Sequence, residues 1–304
     1  MKRSILFVCN GNVFRSMAAE LAFKKHLAEN NIKGWKVSSA GIFARKEPID
    51  PKTIEVLKKK GVKSIRHKRK KLTKEMLKQH DIVVAMAKDQ LEYIKNKLKH
   101  KYVLLFNELA IDKKTSVLDV EDEVKDHADN RKAVERKIER TIRNIFKRTY
   151  RVFKNASERF YLFEDFANGR KTHRNGYPLI KLYETENTFS FMSLDIPKKS
   201  DGHILVVPKK RYVELSEVPS VVLDELMVSV KKIGSVISAG NGGYNILLNN
   251  GIDAGQTIFH VHFHIVPRKS DDGIQIEVWN REHTPAKDFI RLNQKLKRKI
   301  YSRK

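Results

Sequence analysis

The single cysteine of the chain stands where an apolar segment meets a short glycine-containing loop. Cys9 follows the strand-like segment SILFV (4–8), and Arg15 and Ser16 open a helix-like segment. A tight loop that ends at a helix N-terminus directs its backbone N–H groups toward one spot, which suits a phosphate. The same positive field favours a thiolate that attacks phosphorus, while Arg15 can hold two phosphoryl oxygens and Ser16 can hydrogen-bond the sulfur. The loop residues predicted to bind the phosphate are Asn10, Gly11, Asn12, Val13 and Phe14.

A buried structural role is the alternative interpretation of Cys9, because an intracellular cysteine usually serves packing alone. The Cys-x5-Arg spacing by itself would leave that alternative ahead. The strand–loop–helix context reverses the preference, since Gly11 and Asn12 tolerate the left-handed backbone that such a loop requires. We therefore predict that Cys9, Arg15 and Ser16 are catalytic.

Three histidines alternate with apolar residues in the stretch TIFHVHFHIVP (257–267). Alternate residues of a β-strand share one face, so His260, His262 and His264 are predicted to point the same way. Such imidazoles could bind zinc, or one of them could attack phosphorus while its neighbours assist. Packing is the common role of a single histidine, but it does not explain three in register.

The first half of the chain alternates strand-like and helix-like segments. The segments predicted to be strands are 4–8, 35–41, 81–86 and 102–106. The helical patterns between them include 16–30 and a helix that begins at Pro51. This alternation predicts a three-layer α/β domain built around a parallel four-stranded sheet.

The second half has a different character. From about Asn130, apolar residues recur at helical spacing opposite a basic face. Beyond this helix, strand-like segments surround one clear helix (220–238), which predicts an α+β domain with an antiparallel sheet. The predicted strands are 179–184, 188–194, 203–208, 244–249 and 258–267. The domains are expected at 1–150 and 157–270, followed by a basic extension at 271–304.

The composition narrows the class of protein. A chain of 304 residues suffices for two cores, and one cysteine suits a reducing compartment, so a cytoplasmic protein is expected. No apolar run reaches membrane-spanning length, so no membrane partner is expected. The net charge of +26 favours anionic partners, which include phosphorylated small molecules, phosphoproteins and nucleic acid. A lysine-rich solvated surface is an equally good explanation of that charge.

The segment VCNGNVFRSMAAE (8–20) resembles the signature of the low-molecular-weight protein tyrosine phosphatases and related arsenate reductases. The resemblance covers roughly residues 2–150. It implies a cysteinyl-phosphate intermediate and an aspartic acid that protonates the leaving group. A reductase that relays a disulfide within the chain needs further cysteines, so we predict a phosphatase.

The acid position of this family falls in LDVEDEVKDH (118–127). By resemblance Asp122 is the acid, and Asp119 is the second candidate. Glu123 stands where the family usually has proline, and no tyrosine pair follows. These departures leave the phosphate-binding loop intact. They weaken the inference of a phosphotyrosine preference.

The stretch NNGIDAGQTIFHVHFHIVPR (249–268) closely resembles the signature of the histidine triad (HIT) family, and DGHILVVPKKRY (201–212) resembles its second marker. The resemblance implies hydrolysis or transfer at the α-phosphate of nucleotides, such as dinucleoside polyphosphates or nucleoside phosphoramidates. It makes His262 the nucleophile that carries the nucleotidyl group. The histidines that assist it by resemblance are His203, His260 and His264. The implied nucleotide contacts are Asp195, Asn249, Gly255, Gln256 and Thr257.

These resemblances imply a bifunctional phosphorus-transfer enzyme that needs no cofactor and no metal. Some HIT proteins bind zinc through a Cys-x-x-Cys pair, but this chain has YLFED (161–165) at that place. In one alternative, the first half only binds phosphate. In another, the protein removes adenylate from DNA ends, an idea motivated by the basic helix 131–154 and the basic tail. A homodimer through the HIT domain is expected by resemblance alone.

Overall fold

The computed structural model of the protein describes residues 3–44, 48–200, 202–239, 242–276, 278 and 285–301. The strands of the first half are β1 (Arg3–Cys9), β2 (Trp35–Gly41), β3 (Ile82–Ala85) and β4 (Val103–Leu105). The helices are α1 (Arg15–Glu29), α2 (Pro51–Lys59), α3 (Lys74–Lys78), α4 (Lys88–Asn96), α5 (Phe106–Ile111) and α6 (Val120–Glu123). The strands form one sheet in the order β2-β1-β3-β4, and every pair is parallel. The predicted parallel four-stranded α/β domain is therefore confirmed.

One helix of 37 residues, α7 (Arg131–Ala167), runs from the first core into the second. Its first part buries Ile138 and Ile142 among the residues around α1, and its last part buries Phe163 and Phe166 in the second core. The sequence predicts this helix from Asn130 onward, and the Asn130 side chain caps it by accepting the N–H of Ala133. The helix contains no glycine or proline, so nothing in the sequence stops it at the domain boundary expected near residue 150.

The second half is a five-stranded antiparallel sheet between two helices. Its strands are β7 (Lys181–Glu184), β8 (Thr188–Met192), β9 (Ile204–Pro208), β10 (Gly243–Leu247) and β11 (Phe263–Arg268), in the order β10-β11-β9-β8-β7. A small hairpin precedes them, made of β5 (His173–Arg174) and β6 (Tyr177–Pro178). The helix α8 (Ser220–Ser238) packs on one face of the sheet and the end of α7 on the other. The predicted antiparallel α+β domain is confirmed.

The histidine stretch forms a shorter strand than its alternating pattern predicts. Strand β11 begins at Phe263, so two of the three histidines, His260 and His262, precede it. The backbone N–H groups before the strand have other partners: Phe259 donates to Arg159 O and Val261 to Tyr212 O. These bonds draw the segment out of the sheet ladder.

The C-terminal extension, which the sequence identifies as basic, contains the helix α9 (Ala286–Tyr301). Residues 277, 279–284 and 302–304 of the predicted extension lie outside the described residues. Across the ranges that the structure describes, no helix has the length and apolar character needed to cross a membrane.

Candidate active sites

Cys9 lies at the carboxyl end of the interior strand β1, and the loop that follows it leads into α1. The thiol is buried, with 2% of the residue exposed. Its Sγ atom lies 2.9 Å from Ser16 Oγ and accepts the backbone N–H of Asn12 at 3.3 Å. These contacts, together with the N-terminus of α1, favour negative charge on the sulfur. The structure thus brings Cys9, Ser16 and the connecting loop into one arrangement suited to an anion.

Asn12 fixes the backbone of this loop. It is fully buried and adopts the left-handed conformation, with φ of 58°. Its side-chain amide donates to Ser16 Oγ at 3.1 Å and to Ser39 Oγ at 2.8 Å. On the neighbouring strand β2, a Cβ added to Gly41 would lie 2.6 Å from the carbonyl oxygen of Asn10, so only glycine fits there. The roles of Ser39 and Gly41 were not identified from the sequence, because they depend on contacts between separate strands.

Arg15 does not face open solvent. It is 1% exposed, its Nη1 donates to Val117 O at 2.9 Å, and its Nη2 pairs with the carboxylate of Asp119. Asp122 is exposed and instead accepts the backbone N–H of Asp119 at 2.8 Å, which caps the short helix α6. Of the two acid candidates, the structure therefore places Asp119 against Arg15 and leaves Asp122 one turn away on the surface.

Four histidines meet in the second half. His203, just before β9, donates through Nδ1 to the carbonyl oxygen of Asp195 at 2.5 Å. Its Nε2 lies 2.8 Å from Nδ1 of His264, and the two rings stack with centroids 5.0 Å apart. Because Nδ1 of His203 donates to Asp195, its Nε2 accepts the hydrogen bond from His264 Nδ1–H, which leaves Nε2 of His264 as a free acceptor. That atom is buried and has no hydrogen-bond partner among the described residues.

His262, the middle histidine of the triad, forms a hydrogen bond through its Nδ1 atom. Nδ1 of His262 lies 2.7 Å from the carbonyl oxygen of His260, so Nδ1 carries the proton and Nε2 keeps its lone pair. His260 in turn donates through Nε2 to Pro208 O at 2.8 Å. Burial lowers the pKa of His262 and lowers the pKa of His260 and of His264 to about 3. Lowered pKa values favour neutral imidazoles at His260, His262 and His264, the form in which a ring nitrogen can act as a nucleophile.

We expect the stability of the fold to decrease as the pH falls below about 6.5. His260 and His264 have folded-state pKa values of about 3, whereas the pKa of an unfolded histidine is about 6.5. The unfolded chain therefore takes up these protons first, so the stability present above pH 6.5 is lost progressively toward pH 3. Urea midpoints at about pH 7.5 and about pH 5.5 check this expectation, because few carboxylates titrate in that window. His260→Asn should reduce the difference between the two midpoints, and equal midpoints for the wild type would contradict the prediction.

The candidate nucleotide contacts differ in burial and in their hydrogen-bond partners. Gln256 is 4% exposed; its Oε1 accepts the N–H of Gly251 at 2.8 Å and its Nε2 donates to Val213 O at 2.9 Å. Its side-chain amide therefore holds the loop, as does its backbone N–H, which donates to Gly251 O at 3.1 Å. Asp195 is exposed and orients His203 through its backbone carbonyl.

The other three candidates lie along the same loop. Gly255 has φ of 85°, and Asn249 Nδ2 lies close to it, 3.8 Å from where a Cβ of Gly255 would be. Thr257 is exposed at the end of the loop. One residue near the histidines was not identified from the sequence: Phe163 of α7 contacts the rings of His260 and His262 edge-on, with centroids 5.6 and 5.2 Å apart. Its sequence signal is that of any buried helical residue.

Comparisons with known proteins match the two halves of the chain to two different families. The family model described as low molecular weight phosphotyrosine protein phosphatase matches residues 4–156, half of the chain. The HIT domain model matches residues 176–271. Among solved structures, one described as the YwlE arginine phosphatase, a mutant with a phosphorylated active-site serine, is similar with a TM-score of 0.43 and 25% identity. It covers 51% of this chain and 96% of its own.

Curated relatives match the second half. The adenosine 5'-monophosphoramidase HNT1 of Candida albicans is 36% identical over 130 residues, which are 40% of this chain and 84% of the relative. An uncharacterized HIT-like protein of Methanocaldococcus jannaschii is 46% identical over 97 residues, 32% of this chain and 74% of that protein. Both families represented in the chain are hydrolase families. The chain belongs to the low molecular weight phosphotyrosine protein phosphatase family through its first half and carries a HIT domain in its second.

Proposed function

We propose that the protein is a bifunctional hydrolase that attacks phosphorus with Cys9 in one half and with His262 in the other. The observation that supports this most directly is common to both sites. Each presents one nucleophilic atom, Cys9 Sγ or His262 Nε2, whose charge or tautomer is set by hydrogen bonds behind it. No redox step is involved in either reaction.

In the first half, the Cys9 thiolate attacks the phosphorus of a phosphomonoester or a phosphoprotein. An S–P bond forms as the P–O bond to the leaving group breaks, and an aspartic acid gives its proton to the departing oxygen. Arg15 holds two equatorial oxygens once it releases Asp119, and Ser16 stabilises the thiolate when water cleaves the S–P bond. Water supplies the oxygen of the released phosphate.

In the second half, Nε2 of His262 attacks the α-phosphate of a nucleotide. A P–N bond to His262 forms while the bond to the leaving group breaks, and water then cleaves the nucleotidyl-histidine to a nucleoside monophosphate. The naming of similar proteins as adenosine 5'-monophosphoramidases supports a nucleoside phosphoramidate as substrate, with dinucleoside polyphosphates as the second class. The proposed nucleotide contacts are Asp195, Asn249, Gly255, Gln256 and Thr257.

Two substrates assayed on three proteins test this proposal. The wild type, Cys9→Ser and His262→Ala are compared with p-nitrophenyl phosphate and with adenosine phosphoramidate. The proposal requires that each variant lose one activity and keep the other. Loss of both activities in either folded variant would mean that the two sites do not work as separate catalysts.

A second candidate function for the first half is phosphate binding without turnover. The ion pair between Arg15 and Asp119 favours it, because Arg15 must leave its counter-ion before it can follow the phosphoryl group. In this case the wild type binds inorganic phosphate but does not hydrolyse p-nitrophenyl phosphate, and Cys9→Ser changes neither result.

Asp122→Asn is expected to slow phenyl phosphate hydrolysis more than p-nitrophenyl phosphate hydrolysis. We propose Asp122 as the acid, because Asp119 is already the counter-ion of Arg15, a role that requires its ionised form. Loss of a general acid costs about 10²–10⁴-fold for a strongly basic leaving group and less for a weakly basic one. Asp119→Asn is the matched variant and should change the rates with both substrates by the same factor, because it acts through Arg15 and not through the leaving group. The reverse pattern in the two kcat values would move the acid role to Asp119.

One surface of the second half combines a sheet edge with exposed apolar side chains. Strand β10 is an edge of its sheet, and exposed apolar residues lie nearby, namely Val228, Val236 and Ile246. We propose that these faces pair two chains in a homodimer, which sedimentation velocity checks.

The proposed domain extents remain 1–150, 157–270 and 271–304, with α7 continuous across the first boundary. One cysteine in 304 residues supports a reducing compartment such as the cytoplasm.

A further inference from the structure

The two domains meet at the amino-terminal edge of the parallel sheet. Asp81, just before β3, accepts the N–H and the hydroxyl of Ser4 at 3.1 and 2.7 Å and the hydroxyl of Tyr161 at 2.8 Å. Its other oxygen accepts Arg211 of the second domain at 2.5 Å. The guanidinium of Arg211 also lies over the rings of Phe160 and Tyr161. This contact joins the start of the sheet, α7 and the segment after β9 in a fixed arrangement.

Beside this contact, the first domain reaches the residue that precedes the histidine triad. Phe259 is 1% exposed and lies directly before His260. Its ring packs on Tyr102, just before β4, with centroids 5.4 Å apart, and on Phe160 with centroids 4.7 Å apart. Its backbone N–H donates to Arg159 O at 2.7 Å. The segment that leads into the triad is therefore held by α7 on one side and by Tyr102 of the first domain on the other.

Tyr102 is itself fixed by the second domain. Its hydroxyl donates to Glu214 Oε1 at 2.9 Å, and Lys101 lies 3.1 Å from the same oxygen. This hydrogen bond anchors the hydroxyl, whereas the packing of the ring on Phe259 limits where Phe259 can lie. Because His260 accepts the Nδ1 proton of His262 through its backbone carbonyl, a shift of the Phe259–His260 backbone would rotate the nucleophilic ring.

We propose that Tyr102 is a positioning residue for His262, so that the first domain completes the active site of the HIT domain. This inference rests on the proposed nucleotidyl transfer to His262. In this proposal the fusion of the domains matters for catalysis, because the Tyr102 ring of the first domain restricts the Phe259–His260 backbone, which orients His262. Misplacement of a catalytic group by about 1 Å is enough to slow a reaction by about 10²-fold.

The test compares Tyr102→Ala with Tyr102→Phe and with a matched control, Tyr93→Ala. Tyr93 is also a partly buried tyrosine of the first domain, but it packs in the core on the α4 side of the sheet. Steady-state kinetics with adenosine phosphoramidate give kcat and KM. A long-range ¹H–¹⁵N spectrum of the imidazoles reports the tautomer and surroundings of His262 without any turnover.

We expect Tyr102→Ala to lower kcat by about ten-fold with KM changed less than about two-fold, and to shift the His262 resonances. Tyr102→Phe keeps the ring and should retain most of kcat, and Tyr93→Ala should match the wild type in both measurements. If Tyr102→Ala does not fold, Tyr102→Leu takes its place, because it keeps apolar contact without a ring. A folded Tyr102→Ala protein with wild-type kcat and an unchanged imidazole spectrum would overturn the proposal. A wild type that hydrolyses no phosphoramidate would reject the proposed function, and the imidazole spectra would still decide the role of Tyr102.

Discussion

Cys9→Ser is expected to lower p-nitrophenyl phosphate turnover by about 10³-fold or more. A thiolate is the nucleophile in this mechanism, and a serine hydroxyl needs a general base that the loop does not offer. The two donors that face Sγ, Ser16 Oγ and the N–H of Asn12, stabilise an anion but remove no proton. The oxygen of serine would therefore stay protonated at neutral pH. The measurement is kcat/KM for p-nitrophenyl phosphate with purified full-length protein.

Two controls separate chemistry from folding in this experiment. The serine variant keeps the loop, so it should still bind inorganic phosphate in calorimetry with an affinity close to that of the wild type. Its adenosine phosphoramidate turnover should also be unchanged, since Cys9 lies at the opposite edge of the sheet from the second domain. Residual p-nitrophenyl phosphate turnover above a tenth of the wild type would mean that another group attacks phosphorus.

The sequence predicted those parts of the sites that depend on neighbours along the chain. The loop from Cys9 to Ser16 spans eight consecutive residues, so its strand, turn and helix context is visible without a fold. The pattern of His260, His262 and His264 is local in the same way. In both cases residue type and spacing alone restrict the geometry, and the structure brings these side chains together.

The features that the sequence did not predict depend on contacts between distant segments. Arg15 and Asp119 are 104 positions apart, and no spacing rule indicates which of two acids in one short loop will face a given arginine. The hydrogen bond from Gln256 Nε2 to Val213 O joins segments 43 positions apart, and no local pattern indicates it. The histidine pattern predicts a strand from residue 258, but hydrogen bonds to Arg159 O and Tyr212 O keep residues 259 and 261 out of the sheet, and the strand begins at Phe263.

The docking of the domains bears on how the two sites can cooperate. The Cys9 loop stands at the carboxyl ends of the parallel strands, whereas Ser4, Asp81 and Tyr102 contact the second domain at the amino ends. The length of β1 alone puts about 20 Å between the two edges. A product of one site would therefore cross solvent to reach the other, so the fusion serves structural coupling better than direct transfer.

His262→Ala is expected to lower adenosine phosphoramidate hydrolysis by about 10³-fold or more. The nucleotidyl-enzyme intermediate needs an unprotonated ring nitrogen, and Nε2 of His262 is the one that a proton on Nδ1 leaves free. His264 cannot take its place, because its Nε2, the nitrogen left with a lone pair, is buried. Because burial lowers the pKa of His262, the wild type should keep its activity when the pH falls from about 7.5 to about 6.

The matched control is His173→Ala, which removes an exposed histidine of the same half. It should leave kcat and KM unchanged, and both variants should keep wild-type hydrolysis of p-nitrophenyl phosphate. Mass spectrometry after brief mixing with substrate adds a direct readout, since a nucleotidyl adduct should form on the wild type and on His173→Ala but not on His262→Ala. An adduct that persists in the His262 variant would place the nucleophile elsewhere. In that case the hydrogen bond from Nδ1 of His262 to His260 would have only a structural role.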